Sequence, residues 1–240
     1  MISSSSKMAE VIYLNHHLLS VIHKIGISLG FGDATVREVS LKNGLNPDFV
    51  VAILNTYNDP HYFPEEHLTT FSVGEIVNYL RRSHRAYILE QLPELANLFE
   101  LYASETKSSS YNGLIRNFFN EYRSEMEKHF YAEDEYMFPY ALAVEQSFEE
   151  EAFPVEMARK FKEYTITDFL QEHTNIEEKL DDLKNLIVKY VPQESDSILA
   201  FDILEKLFHL NNDLDDHSRI EEKVLIPKVV AMEEELKRRK

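Results

Sequence analysis

The 240-residue sequence contains no cysteine, and this absence excludes several kinds of chemistry together. Without a thiol, the chain forms no disulfide and binds no iron–sulfur cluster through its own sulfur. It also has no thiolate for zinc binding or nucleophilic attack. A metal site in this chain would therefore use imidazole and carboxylate ligands.

Glycine and proline are scarce, with 6 and 8 residues respectively, and alternating strand-like patterns are hard to find. Long stretches instead carry apolar residues at every third or fourth position, which is typical of amphipathic helices. Hydrophobic residues make up 44% of the chain, an ordinary fraction for a globular protein that buries a core. The pattern predicts an all-α fold.

Basic residues are outnumbered, 25 against 42 acidic residues, which gives a formal net charge of −17. Such a surface repels a phosphate backbone, so we expect no nucleic-acid partner. No apolar run approaches the roughly 20 residues that a membrane span needs, so we expect no membrane partner. The first residues have no charged start followed by an apolar run, unlike a secretory signal, and we expect a cytoplasmic protein.

Signals for short helices occupy residues 8–60, where we expect three helices. Thr35 is a candidate N-cap, and Gly44 suits a helix end with positive φ. Asn46 followed by Pro47 is typical of a helix start. Prolines and a histidine around residues 59–64 then interrupt the pattern. We therefore predict a small helical domain over residues 1–66 and a second domain over residues 67–240.

The second domain carries four long amphipathic patterns joined by short loops, which predict an up-down four-helix bundle. Ser72 and Glu75 form a capping-box pattern where the first helix begins, and Pro93 predicts a kink within it. The later patterns begin after residues 110, 154 and 192. Each apolar stripe includes one histidine, and the four are His84, His129, His173 and His217.

Two of these histidines are followed, four residues later, by a glutamate: His129 by Glu133, and His217 by Glu221. Residues four apart share a helix face, so the imidazole and the carboxylate reach the same point. A longer pattern, acid-apolar-x-x-His-x3-Glu-x5-Pro, occurs at both places. A further histidine precedes the histidine of each pattern at nearly the same distance: His84 lies 45 residues before His129, and His173 lies 44 residues before His217. The repeat indicates a helix pair that is doubled along the chain.

A lone histidine on an apolar stripe is usually a hydrogen-bonded core residue. Six polar groups on one core layer favour a metal site instead. Burying unpaired carboxylates costs several kcal/mol, and a bound metal offsets this penalty. We therefore predict a metal site in the core of the bundle. Its candidate ligands are His84, His129, Glu133, His173, His217 and Glu221.

Imidazole and carboxylate ligands without sulfur suit iron or manganese. Two bridging carboxylates suit a dinuclear centre, with positions left for an oxo or hydroxo bridge and for a diatomic ligand. Glu125 and Asp213 each lie one turn before a ligand histidine, so they are candidate acceptors for its second ring N–H.

These residues and their order resemble the hemerythrin-like superfamily and, more narrowly, the iron–sulfur cluster repair di-iron proteins, the RIC family. The resemblance covers nearly the whole chain. It rests on His84 with Leu92-Pro93, Glu125 to Pro139, Glu172-His173, Asp213 to Pro227, Ile25 to Asp33 and Lys42 to Pro47.

The resemblance implies a cytoplasmic stress-response protein that helps to repair iron–sulfur clusters damaged by nitric oxide or oxidants, by supplying iron. It implies two iron ions joined by an oxo or hydroxo bridge and held by the same four histidines and two glutamates. Damaged iron–sulfur proteins would be the partners. The N-terminal domain of that family usually carries a cysteine pair, where this chain has Leu29-Gly-Phe-Gly32. Thiol-dependent nitric oxide chemistry is therefore excluded.

Two other functions stay open. One is a module that binds or senses oxygen or nitric oxide, with residues 35–57 outlining a helix-turn-helix that lacks a basic recognition face. Oxygen-carrying hemerythrins resemble the chain less, because the position of their fifth histidine here is Glu177. The other is a di-iron redox enzyme acting on nitric oxide or peroxide with an external reductant. Whether the protein is an enzyme, and whether it forms a homodimer, is left undecided by the sequence.

Overall fold

The structure is a computed structural model that describes residues 1–59, 61–105, 109–150, 166, 173–192 and 197–239. Within these ranges every regular element is a helix. Extended backbone pairs there only in a single antiparallel bridge between Lys7 and Thr35. The predicted all-α fold is confirmed.

Short helices form the N-terminal part of the chain. They are α1 (Met8–Leu14), α2 (Leu18–Ile25), α3 (Val36–Lys42), α4 (Pro47–Asn58) and α5 (Glu65–Leu68). Four of them lie within residues 8–60, where three were expected. The first expected helix is divided because Asn15 adopts an extended conformation, with φ −145°. The side chain of Asn15 then accepts a hydrogen bond from the backbone N–H of His17 at 3.1 Å.

The predicted helix ends of this part are confirmed by their hydrogen bonds. The hydroxyl of Thr35 accepts from the N–H of Glu38 at 3.2 Å, and the Glu38 carboxylate accepts from the N–H of Thr35 at 2.8 Å. Asn46 caps α4 by accepting from the N–H of Asp48 at 3.0 Å. Gly44 follows α3 with φ 69°, a conformation that glycine adopts without the steric cost a side chain would add.

Long helices occupy the rest of the described chain, and three of them include a π-helical turn, in which backbone hydrogen bonds span five residues instead of four. The first runs through α6 (Val73–Ala86), π1 (Tyr87–Gln91) and α7 (Leu92–Glu105). The second runs through α8 (Ser109–Ala132), π2 (Glu133–Met137) and α9 (Phe138–Glu149). The third is α10 (His173–Tyr190), and the fourth runs through α11 (Ser197–Ile220), π3 (Glu221–Leu225) and α12 (Ile226–Arg238).

A proline follows each π-helical turn after one intervening residue, at Pro93, Pro139 and Pro227. Proline has no N–H, and its ring clashes with the carbonyl four residues before it in an α-helix. The wider turn relieves this conflict: the N–H of Phe138, for example, bonds to the carbonyl of Glu133, five residues earlier. The kink expected at Pro93 thus takes the form of a π-helical turn. The helices continue beyond all three prolines.

By packing, the described residues form two compact units. One consists of Met1–Ser83 with Arg219–Lys228, and the other of His84–Ser218 with Val229–Lys240. In the second unit α7 packs on α8, and α8 packs on α10. Among the described helices, none combines the length and apolar character needed to cross a membrane.

The core of the second unit is a continuous layer of aromatic and aliphatic side chains. It includes Tyr87, Phe99, Tyr102, Phe119, Tyr122, Phe130, Leu180, Leu183, Leu207 and Leu210, all nearly inaccessible to solvent. Burying residues of this size contributes about 1.5–3 kcal/mol each to folding. The core therefore fixes the helices that carry the histidines.

A capping box starts α6, and its loss should destabilise the fold. The N–H of Glu75 donates to the hydroxyl of Ser72, and the N–H of Ser72 donates to the Glu75 carboxylate, both at 3.1 Å. We expect Ser72→Ala to lower the free energy of unfolding by about 1 kcal/mol, measured by urea denaturation. The control is Ser104→Ala, because that exposed hydroxyl donates only to the Leu101 carbonyl. Equal stabilities for the two variants would contradict the assignment of the cap.

Candidate metal centre

His84, at the end of α6, is fully buried and faces two other polar groups through the same ring nitrogen. Its Nε2 lies 3.2 Å from Nε2 of His217, on α11. The same atom lies 3.2 Å from Oε2 of Glu133, the first residue of π2. Three potential ligand atoms, one from each of these residues, lie within 4.8 Å of one another.

Glu133 presents its two carboxylate oxygens to different histidines. Oε2 faces His84, and Oε1 lies 2.9 Å from Nε2 of His129, one helical turn earlier on α8. The carboxylate is only 2% exposed, so water does not solvate this charge. Both oxygens of this buried carboxylate are therefore in contact with imidazole nitrogens.

Aromatic rings form the walls of this cluster. Phe130 stacks on the ring of His84 with centroids 4.3 Å apart, and Phe138 stacks on it at 5.3 Å. Tyr87 meets the ring of His217 edge-on at 5.7 Å. These contacts hold the imidazoles in fixed orientations and exclude water, which strengthens electrostatic interactions inside the cluster.

The second ring nitrogen of His84 faces an acid. Nδ1 lies 3.3 Å from Oδ2 of Asp134, which directly follows Glu133. Burial by itself lowers the pKa of His84, but the carboxylates of Asp134 and Glu133 outweigh that effect and raise this pKa to about 9. In the metal-free protein these two carboxylates therefore favour the protonated form of His84.

Asp134 lies beside His84, for which the sequence predicted no supporting acid; Glu125 and Asp213 were predicted to support His129 and His217. Glu125 instead forms an ion pair with Lys179. Asp213 accepts a hydrogen bond from Nε2 of Gln91 at 3.2 Å. The sequence signal for Asp134 is its position beside Glu133, whereas the predicted supporting acids lie one turn before a ligand histidine.

The structure brings together four of the six predicted ligands: His84, His129, Glu133 and His217. His173 begins α10, and its side chain lies outside the described residues. Glu221 is completely buried, belongs by packing to the other compact unit, and begins π3 as Glu133 begins π2. His209 was left out of the predicted set, and its side chain is exposed.

The residues present fit a metal ion. Buried imidazole nitrogens and a buried carboxylate converge at ligand spacing, and the chain has no cysteine thiolate. This donor set suits iron or manganese. A carboxylate behind a ligand histidine is a common feature of metal sites, because it orients the ring and raises its basicity.

The raised pKa of His84 makes the stability of the metal-free protein depend on pH. The protonated form is stabilised fully below the ordinary value of 6.5, and this stabilisation is lost as pH rises through about 9. We expect the free energy of unfolding, measured in chelator, to fall by about 3 kcal/mol across this window.

The control for this measurement is His84→Gln, in which that fall should be absent. A stability that rises with pH in the metal-free protein but not in His84→Gln would contradict the protonation of His84.

Asp134 should support metal binding without being a ligand. We expect Asp134→Asn to weaken metal affinity about 10- to 100-fold, because the amide removes the negative charge beside Nδ1 of His84. Competition with a chromophoric chelator measures this affinity. The matched control is the exposed neighbour variant Glu135→Gln. Equal affinities for the two variants would exclude the proposed support.

One comparison with known proteins bears on this site. The sequence profile of the family described as "Hemerythrin HHE cation binding domain" matches residues 75–229, more than half of the chain. The matched region contains all six predicted ligands. No curated protein matches the chain.

Proposed function

The chain belongs to the hemerythrin HHE cation-binding domain family, and from this premise we propose a di-iron protein that supports repair of damaged iron–sulfur clusters. The damage would come from nitric oxide or oxidants, and the protein would act by supplying iron. The observation that carries the dinuclear part is the geometry of Glu133, whose two oxygens face two different histidines.

Four described residues would hold the metal: His84, His129, Glu133 and His217. His173 and Glu221 complete the proposed set on the strength of the sequence repeat alone. Iron in such a site supplies a redox-active Lewis acid with positions for small ligands. The chain's own residues orient the imidazoles, exclude water and place Asp134 against the far side of His84.

Supply of iron as single ions agrees with the chemistry of the chain. Since there is no cysteine, the protein has no thiolates with which to carry an assembled cluster. The net charge of −17 attracts cations and raises their concentration near the surface. Damaged iron–sulfur proteins are the partners in this proposal, and ferrous iron is the cargo.

A second candidate function is the binding of oxygen or nitric oxide. It is favoured by a mostly apolar pocket beside His129 and His217, whose other lining residues include Met126, Phe130 and Leu214. Small apolar gases partition into such a pocket. A protein of this kind would bind the gas reversibly and keep its iron, whereas an iron donor would lose iron to an acceptor.

The metal centre is tested by metal analysis of anaerobically purified protein, together with its visible spectrum after oxidation. We expect two irons per chain and near-ultraviolet bands from the iron pair, because Glu133 faces two imidazoles. Both signals should be lost in Glu133→Ala and in His217→Ala. His209→Ala is the matched control, since that histidine is exposed. Well-folded, metal-free wild-type protein would refute the site.

The repair function is tested with an iron–sulfur enzyme inactivated by nitric oxide. We expect the iron-loaded protein to restore its activity, and Glu133→Ala protein prepared in the same way to fail. Iron retention is measured in the same samples by chelator capture. Recovery with free ferrous iron but none with the loaded protein would reject iron supply and favour gas binding.

A further inference from the structure

A small pocket opens beside two of the predicted metal-site histidines. Side chains of α8, α10 and α11 line it, within one compact unit. Its lining residues are Met126, His129, Phe130, Ile176, Glu177, Leu214, His217 and Ser218. Two of the predicted metal ligands, His129 and His217, are therefore among the residues that border the pocket.

Glu177 is the single carboxylate among the described residues that line this pocket. Its side chain is half-buried, whereas the next residue, Glu178, is exposed to solvent. The other lining side chains, apart from the two histidines and Ser218, are apolar. A carboxylate in such surroundings interacts strongly with a cation, because little water screens its charge.

The charge of Glu177 affects the phenol of Tyr122, inside the helix bundle. The Tyr122 side chain is completely buried, and its hydroxyl has no hydrogen-bond partner among the described residues. Burial raises the pKa of the Tyr122 phenol, and the negative charge of Glu177 raises it further. The two groups are therefore near enough to interact.

We propose that this pocket is the route by which a divalent cation reaches and leaves the metal centre, with Glu177 as a transient ligand on that route. The proposal rests on the metal centre described above and adds a path and a residue to it. Glu177 is not one of the six predicted resident ligands.

The physical reason is the cost of removing water from a divalent cation. In an apolar pocket a cation that loses hydration water without replacement is strongly destabilised. A carboxylate oxygen replaces part of that hydration midway, and the imidazole nitrogens of His129 and His217 replace more of it at the inner end. Because Glu177 lowers the barrier from both sides, it should speed uptake and release equally.

The test compares Glu177→Gln with Glu178→Gln, which removes the same charge from the adjacent exposed position. Anaerobic stopped-flow measurements follow uptake of ferrous iron, and transfer to a strong chromophoric chelator follows release. We expect both rates to fall about tenfold in Glu177→Gln, a size typical of a lost electrostatic guide, with iron content at equilibrium unchanged. Glu178→Gln should match the wild type. Glu177→Asp should restore part of the rate.

Other outcomes would overturn the route. Wild-type rates in Glu177→Gln would show that the carboxylate is not used, while the metal centre would stand. A lower iron content in this variant would make Glu177 a resident ligand, which also contradicts the proposal. Circular dichroism checks that each variant is folded. If Glu177→Gln is misfolded, the uptake and release rates of Glu177→Asp test the proposal in its place. A wild-type protein that takes up no iron would instead reject the metal centre itself.

Discussion

The arrangement of the second compact unit depends on a carboxylate buried between two imidazoles. Glu133 is almost inaccessible, so its charge must be compensated by groups around it. His84 and His129 provide this compensation, and Phe130 and Phe138 hold the ring of His84 in place. The same geometry that satisfies one negative charge produces a set of ligands for cations.

Protons and metal ions compete for this cluster, and the surroundings influence the balance. Asp134 favours a positive charge on His84, whether that charge is a proton or a coordinated cation. His129 and His217 also line a small pocket together with Glu177, whose side chain is half-buried. The metal-free site is therefore stabilised by its surroundings, and the pocket is the proposed route by which a metal ion enters and leaves it.

Features that depend on residues close together in the sequence were predictable, whereas contacts between separate helices were not. The caps at Thr35 and Ser72 were predictable because each bond joins residues three apart. The His-x3-Glu pattern similarly predicted that His129 and Glu133 share a helix face, and the two side chains are in contact. The pairing of Glu125 with Lys179 was not predictable, because it requires knowing that α8 lies against α10. The break at Asn15 was missed because apolar residues continue on both sides of it.

The π-helical turns have a consequence for how such chains are aligned. Each one accommodates a single additional residue without interrupting the helix, so the helix beyond it is rotated by about 100° relative to an uninterrupted α-helix. Glu133 and Glu221 stand at the first position of such turns. A related chain without the additional residue would align with a one-residue gap inside an unbroken helix. Such a gap would mark a change in backbone winding next to a candidate metal ligand. An alignment that moved the gap to the nearest loop would misalign every residue between that loop and the π-helical turn.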